Sequence, residues 1–303
     1  MKIAVLLSGG VDSSLALRLL HDQGHDLTAF YLKIWLEDDT SFLGTCPWQE
    51  DLDYAQKVCE QVGVPLEIVP LQKQYYETVV TYTLAEIKAG HTPNPDVFCN
   101  AFIKFGLFYD QIDQSFERVA TGHYAQVNVR EGRIELVASP DPIKDQTYFL
   151  AYLKQNQLAR ALFPIGRLYK AQVRQLAHDY DLPTKDRKDS QGICFLGKLK
   201  FQEFIRYYLG DKAGDLIEFE TGNILGAHKG FWYHTIGQRQ GSGLAGGPWY
   251  VVSKDPLANS VFVSRRYYEQ DKQRNKFVIN RCNWIAYEPK TGHYQVKMRH
   301  GKH

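Results

Sequence analysis

The chain has 303 residues and a formal net charge of +2, and its 44% hydrophobic and 13% aromatic content is enough for two or three packed cores. The apolar run Ile3–Leu7 falls far short of a bilayer span and no charged-then-apolar leader follows Met1, so no membrane partner and no signal or transit peptide are expected. Five cysteines, at 46, 59, 99, 194 and 282, include no CxxC pair, which argues against a disulfide framework or a zinc site and for a reducing compartment in which any disulfide is transient.

In chain order, Ile3–Leu7, Leu27–Leu32, Leu66–Val69 and Arg118–Ala120 read as strands. Between them Val11–Asp22, Gln49–Val62, Gln72–Lys88 and Cys99–Ile112 read as helices, stopped by Gly24, Gly63 and Gly90 where a glycine should end them. Such alternation predicts a parallel sheet with crossover helices. Gln126–Val129 and Arg133–Val137 flank Arg130-Glu131-Gly132 as a hairpin, further helical stretches reach Leu209, and short strands with turn signals follow from Gly214. The expected domains are therefore a sheet-and-helix domain at 1–200, a small β-rich middle domain at 201–268 and the start of a β-barrel at 269–303.

Charge divides unevenly along this plan. Residues 1–100 hold 6 Lys and Arg against 14 Asp and Glu, residues 144–210 hold 12 against 6, and residues 261–303 hold 10 against 3. A catalytic lobe set apart from polyanion-binding surfaces gives such a pattern, and so do solvated basic faces.

The first strand runs into Ser8-Gly9-Gly10-Val11-Asp12-Ser13 and then a helix. Two glycines let the backbone bend tightly against an anion, and Ser8, Ser13 and the first helical amides supply donors. The loop lacks the Gly-Lys-Ser/Thr ending of the Walker loop and the GxGxxG of dinucleotide sites. This stretch resembles the SGGxDS loop of the PP-loop ATP pyrophosphatases, which implies an ATP site at Leu6, Leu7, Ser8, Gly9, Gly10, Val11, Asp12 and Ser13, with Mg²⁺. A strand-to-helix turn capped by Asp12 or Ser8 is the plainer alternative.

Five more segments narrow the choice: Gly90-His-Thr-Pro-Asn-Pro-Asp-Val-Phe-Cys-Asn100, Ala120-Thr-Gly-His-Tyr-Ala125, Lys144-Asp-Gln-Thr-Tyr148, Asp189-Ser-Gln-Gly-Ile-Cys-Phe195 and Tyr233-His-Thr-Ile-Gly-Gln-Arg239. In order and spacing they resemble the tRNA-specific 2-thiouridylase family. The resemblance implies ATP-dependent sulfur insertion into the wobble uridine of tRNA, with a cysteine desulfurase or sulfur-relay protein as donor partner. It places a persulfide on Cys194, attack by Cys99, a transient Cys99–Cys194 disulfide, and Asp96 as base or uracil holder. It also assigns the target base to Asn94, Pro95 and Asp96, further ATP contacts to Leu32 and Gly122, and tRNA contacts to Lys144, Asp145, Gln146, Arg299 and His300. The family's closing barrel is expected to be cut short here, and His300 stands where the family has a tyrosine. A cytoplasmic or organelle-matrix enzyme follows from the same reading.

The chemistry agrees with these residue types. A uridine C2 oxygen leaves poorly until it is adenylated, and a cysteine can carry a sulfur and surrender it by disulfide exchange. Cys46, Cys59 and Cys282 read as small apolar residues. Cys99 follows the proline-broken 92–96 stretch, which predicts a thiol at a helix N-terminus where the dipole favours the thiolate. His123 reads as a hydrogen-bonding rather than a metal-bound histidine. A PP-loop ligase acting on a small molecule and an inactive tRNA-binding protein are the rival readings.

Overall fold

The computed structural model describes residues 1–34, 47–189, 201–267, 279 and 282–296. β1 (Lys2–Leu6) is an apolar strand buried on both faces, which places it inside the sheet. It pairs in parallel with β2 (Asp26–Lys33) on one side and β4 (Arg118–Ala120) on the other. β3 (Leu66–Pro70) extends the β2 side and β7 (Ala161–Leu162) the β4 side, giving a five-stranded parallel sheet in the order β3-β2-β1-β4-β7.

Helices cover both faces. Ile3, Val5 and Leu7 pack with Leu17 and Leu20 of α1 (Val11–Asp22) and Val58 and Val62 of α2 (Pro47–Val62). On the opposite face Leu6 and Phe30 meet Phe105, Phe108 and Phe116, and Phe30 makes edge-to-face contacts with Phe108 (5.1 Å) and Phe116 (5.5 Å). α3 runs without a break through Gln72–Tyr75, Tyr76–Val80 and Thr81–Lys88, and α4 through Pro95–Phe98, Cys99–Leu107 and Phe108–Gln111. In each the middle piece has wide, π-type turns.

The expected start of α4 at Cys99 is corrected here: the helix begins four residues earlier, at Pro95. Proline breaks a helix in its interior, but at the first helical position its missing N–H has no partner to lose and its fixed φ suits the helix. The predicted hairpin forms as β5 (Ala125–Arg130) and β6 (Arg133–Ala138), turning on Glu131 and Gly132 at φ 51° and 75°. α5 (Gln155–Arg160) precedes β7, and α6 (Lys170–Asp179) packs Val173 and Ala177 against Val11, Leu15 and Ala16 of α1.

Beyond α7 (Phe201–Leu209), β8 (Gly214–Glu218), β9 (Ile224–His228), β10 (Tyr250–Asp255) and β11 (Ser260–Ser264) form a second sheet in the order β10-β11-β8-β9. Its core is Leu216, Phe231, Trp249, Val251, Val261 and Val263. The described part of 282–296 forms no strand and docks on the first domain, where Asn283 Nδ2 donates to the carbonyls of Ala151 (2.9 Å) and Leu153 (3.0 Å) and Gln155 Nε2 donates to Ile285 (2.6 Å). Among the described residues no helix is long and apolar enough to cross a membrane.

A candidate nucleotide site and a nearby buried thiol

From β1 the chain builds outwards to β2 and β3 and then returns to β4 on the other side of β1. The crevice at the C-terminal ends of β1 and β4 is thus the switch point of the sheet, where ligands of open parallel sheets sit. The 8–13 loop leaves β1 at this crevice. Gly9 adopts φ +72°, and a Cβ there would lie 2.2 Å from the Asp51 carbonyl oxygen, so only glycine fits. Ser13 Oγ donates to the Gly10 carbonyl (3.1 Å), accepts from the Ser8 amide (3.2 Å) and lies 3.2 Å from Ser8 Oγ, folding the loop around its own hydroxyls. The N-cap of α1 is Gly10, which has no side chain to cap with, and the first turn of amides is left facing the loop. The alternative of a helix capped by Asp12 or Ser8 is not what the chain forms. Gly122, just past β4, closes the other side, where a Cβ would meet the Ser13 amide nitrogen at 2.6 Å. Glycines with no room for a side chain and a helix start with no cap fit a polyphosphate.

Leu6, Leu7 and Val11 are buried behind this cradle, so their side chains belong to the core. Leu32, partly buried, packs against both the phenylalanine core under the sheet and the cluster containing Cys99.

The sequence reading missed the charges around the cradle. Lys170 Nζ donates to both oxygens of Asp12, at 2.8 and 2.9 Å, and lies 2.7 Å from Asp189 Oδ1. Lys144 (2.6 Å) and Arg174 (2.5 Å) also bind the Asp189 carboxylate. Tyr124 Oη donates to Asp12 (2.8 Å), and Arg187 bonds to the Gly9 carbonyl (2.6 Å) and pairs with Asp51. Burial alone would raise the Asp189 carboxyl, but hydrogen bonds from Lys144 and Lys170 outweigh it and bring its pKa down to about 2. Burial and the adjacent Asp12 charge push the Tyr124 phenol up. Thus two cations of the basic 144–210 block, Lys170 and Arg187, touch the phosphate loop, and two more, Lys144 and Arg174, hold the Asp189 carboxylate that Lys170 shares.

Lys144, Asp145 and Gln146 shape the turn beside it. Asp145 Oδ1 accepts from the Ser139 amide (3.0 Å) and Gln146 Oε1 from the Tyr124 amide (3.1 Å). His123 Nδ1 lies 2.7 Å from Thr121 Oγ1, and burial with the Lys104 charge holds the ring well below its ordinary pKa, hence neutral.

The segment expected to meet the target base lies at the start of α4. Asn94 is exposed at its N-cap, Pro95 is buried, and Asp96 sits one turn before Cys99. Cys99 is 1% exposed. Burial raises its thiol; Lys104 counters this, Asp96 adds to it, and a hydrogen bond from Tyr75 offsets only part. The expected dipole-stabilised thiolate is therefore corrected: Cys99 lies in the second turn, beyond the reach of the helix end, and is a protonated, buried thiol. Cys194, Arg299 and His300 lie outside the described residues.

A parallel sheet with this cradle at its switch point is a PP-loop nucleotide-binding domain. The family model described as tRNA methyl transferase HUP domain matches residues 1–198, and its companion PRC-barrel domain matches 202–265. The tRNA-specific 2-thiouridylase MnmA of Porphyromonas gingivalis is 47% identical, over 92% of this chain and 76% of its own. MnmA 2 of Bacteroides fragilis is 46% identical, over 99% and 86%. A solved structure of a predicted tRNA methyltransferase subunit from Methanocaldococcus jannaschii covers 59% of this chain and 76% of its own at 16% identity, with a TM-score of 0.39, too loose a likeness to bear on the site. The chain belongs to the tRNA-specific 2-thiouridylase family.

Proposed function

We propose that the protein replaces the C2 oxygen of the wobble uridine of tRNA with sulfur, using ATP and Mg²⁺. The observation that carries the reading is the uncapped first turn of α1, walled by Gly9 and Gly122, in a chain 47% identical to a 2-thiouridylase. The cradle suits a polyphosphate, which methyl transfer from a sulfonium donor does not use.

Residues 8–13 and Gly122 hold the ATP phosphates, and Leu32 lies beside the adenine. Asp12 is the carboxylate placed to bind Mg²⁺, which when bound offsets phosphate charge. Asn94, Pro95 and Asp96 hold the uracil, whose C2 oxygen attacks the α-phosphorus and releases pyrophosphate. Asp96, close enough to raise the Cys99 thiol, takes its proton. The Cys99 thiolate then attacks Cys194 Sγ of a Cys194 persulfide, expelling hydrosulfide and forming the Cys99–Cys194 disulfide. Hydrosulfide adds at C2, AMP departs with the C2–O bond, and an external dithiol reduces the disulfide. A sulfur-relay protein loads Cys194. Lys144, Asp145, Gln146, Arg299 and His300 meet tRNA, with the domains divided at about residues 200 and 268, in a cytoplasmic or organelle-matrix enzyme.

The test uses radiolabelled persulfide donor. Cys99→Ser should retain label on Cys194 yet give no thiolated tRNA, and Cys194→Ser should take up no label at the site. Label kept by Cys194→Ser and lost from Cys99→Ser would invert the two roles.

A further inference from the structure

Asp12 presents a problem for an anion site. A carboxylate in the first turn of α1 repels phosphates unless something neutralises it, and the nearest cation comes from 158 residues away. Lys170 is the first residue of α6, and both its ends are fixed. Its amide donates to Asp141 Oδ2 (2.9 Å), while its ammonium spans Asp12 and Asp189 with a side chain only 14% exposed. Asp141 in turn accepts from the Ile143 and Lys144 amides, at 3.0 and 3.1 Å, so the foot of α6 is tied to the turn beside the cradle. The Tyr124 ring lies under the ammonium at 5.7 Å, and its hydroxyl holds Asp12 Oδ1.

Charge in this cluster balances only while Asp12 is counted in it: Asp12, Asp141 and Asp189 stand against Lys144, Lys170 and Arg174. Once Asp12 is taken up by another cation, one positive charge is left beside the positive end of α1, where it attracts an anion. Of the cluster's carboxylate side chains Lys144 and Arg174 bond to Asp189, whereas Lys170 touches the phosphate-loop carboxylate itself. An ammonium is a compact charge on a flexible stem and exchanges one oxyanion for another by rotation.

We propose that Lys170 is a pyrophosphate-binding residue of this site, held ready by Asp12 and Asp189 and transferred to the β- and γ-phosphates when ATP binds. The proposal rests on the ATP-dependent reading above. In it, Asp189 keeps Lys170 aimed while Asp12 passes from Lys170 to Mg²⁺.

Isothermal titration of the full chain with ATP, inorganic pyrophosphate and AMP, each with MgCl₂ and without tRNA, separates the possibilities. Lys170→Met should weaken ATP and pyrophosphate about 10- to 100-fold, the loss of one charge-assisted contact, and leave AMP within about twofold. Lys170→Arg should recover most of that loss. Lys144→Met removes an equal charge from Asp189 without touching Asp12, and should leave pyrophosphate within about threefold. Equal losses of all three ligands in Lys170→Met, or an equal pyrophosphate loss in Lys144→Met, would overturn the proposal, since either reports only general charge or folding. A wild-type protein that binds neither ATP nor pyrophosphate would overturn the ATP reading itself, and the proposal with it. Far-ultraviolet circular dichroism of each variant shows whether it has folded.

Discussion

Replacing Gly122 by alanine sets a methyl group 2.6 Å from the Ser13 nitrogen, 2.7 Å from the Asp12 carbonyl carbon and 2.9 Å from Ser13 Cα. All three atoms are backbone, so no side chain can rotate out of the way. Ordinary contact begins near 3.4 Å, and the end of β4 and the first turn of α1 must therefore part by about 0.8 Å. Overpacking of this kind costs roughly 1–3 kcal/mol, and a shift of that size in a positioning element lowers turnover about 100-fold. Gly10→Ala is the stability control: its nearest neighbour is Ser8 Oγ at 3.5 Å, its φ of −86° suits alanine, and its unfolding free energy should change by no more than about 0.5 kcal/mol. Urea unfolding gives the stabilities, and ATP titration with tRNA thiolation gives the function. A Gly122→Ala protein with wild-type ATP affinity and wild-type stability would refute the claim that Gly122 walls the phosphate cradle.

Three other outcomes are expected. Burial, then the neighbouring His228 and Lys254, bring the buried His234 down from an ordinary value of 6.5 to about 4. Because its folded pKa is depressed, the neutral ring's contribution is fully present above pH 6.5 and is lost as pH falls from 6.5 towards 4; between pH 7 and 5 the loss should be at most about 2 kcal/mol, and His234→Phe should remove it in urea titrations at the two pH values. Iodoacetamide at neutral pH should label the exposed Cys282 well before the buried Cys59 and Cys99, as read by peptide mass spectrometry, and early labelling of Cys99 would contradict its protonated, enclosed state. Phe108→Ala, which empties a fully buried site against Phe30, should cost about 3–5 kcal/mol in urea unfolding, and a loss below 1 kcal/mol would show that α4 is not anchored there.

The phosphate loop was legible because its information is local: an apolar run, two glycines and a helix start appear in the order that the backbone needs them. Arg130-Glu131-Gly132 announced the hairpin in the same way. Lys170 and Arg187 could not be read so, because nothing near them in sequence points to Asp12 or Gly9. Lys170 reaches Asp12 through the packing of Val173 and Ala177 of α6 on Leu15 and Ala16 of α1, and a contact between elements so far apart leaves no periodic trace. The only signal was the excess of basic residues at 144–210, read there as surface for a polyanion. The Cys99 environment was misread for a smaller reason. Treating Pro95 as a stop rather than a first helical residue moved the helix end by four positions, which changes a dipole-favoured thiolate into a buried thiol.

The central claim is the reaction, and nucleoside mass spectrometry of tRNA reads it directly. In cells lacking this gene, 2-thiouridine at the wobble position should disappear, return with the wild-type chain, and stay absent with Cys99→Ser or Cys194→Ser. Undiminished 2-thiouridine in the deletion strain, or full restoration by either serine variant, would contradict the account.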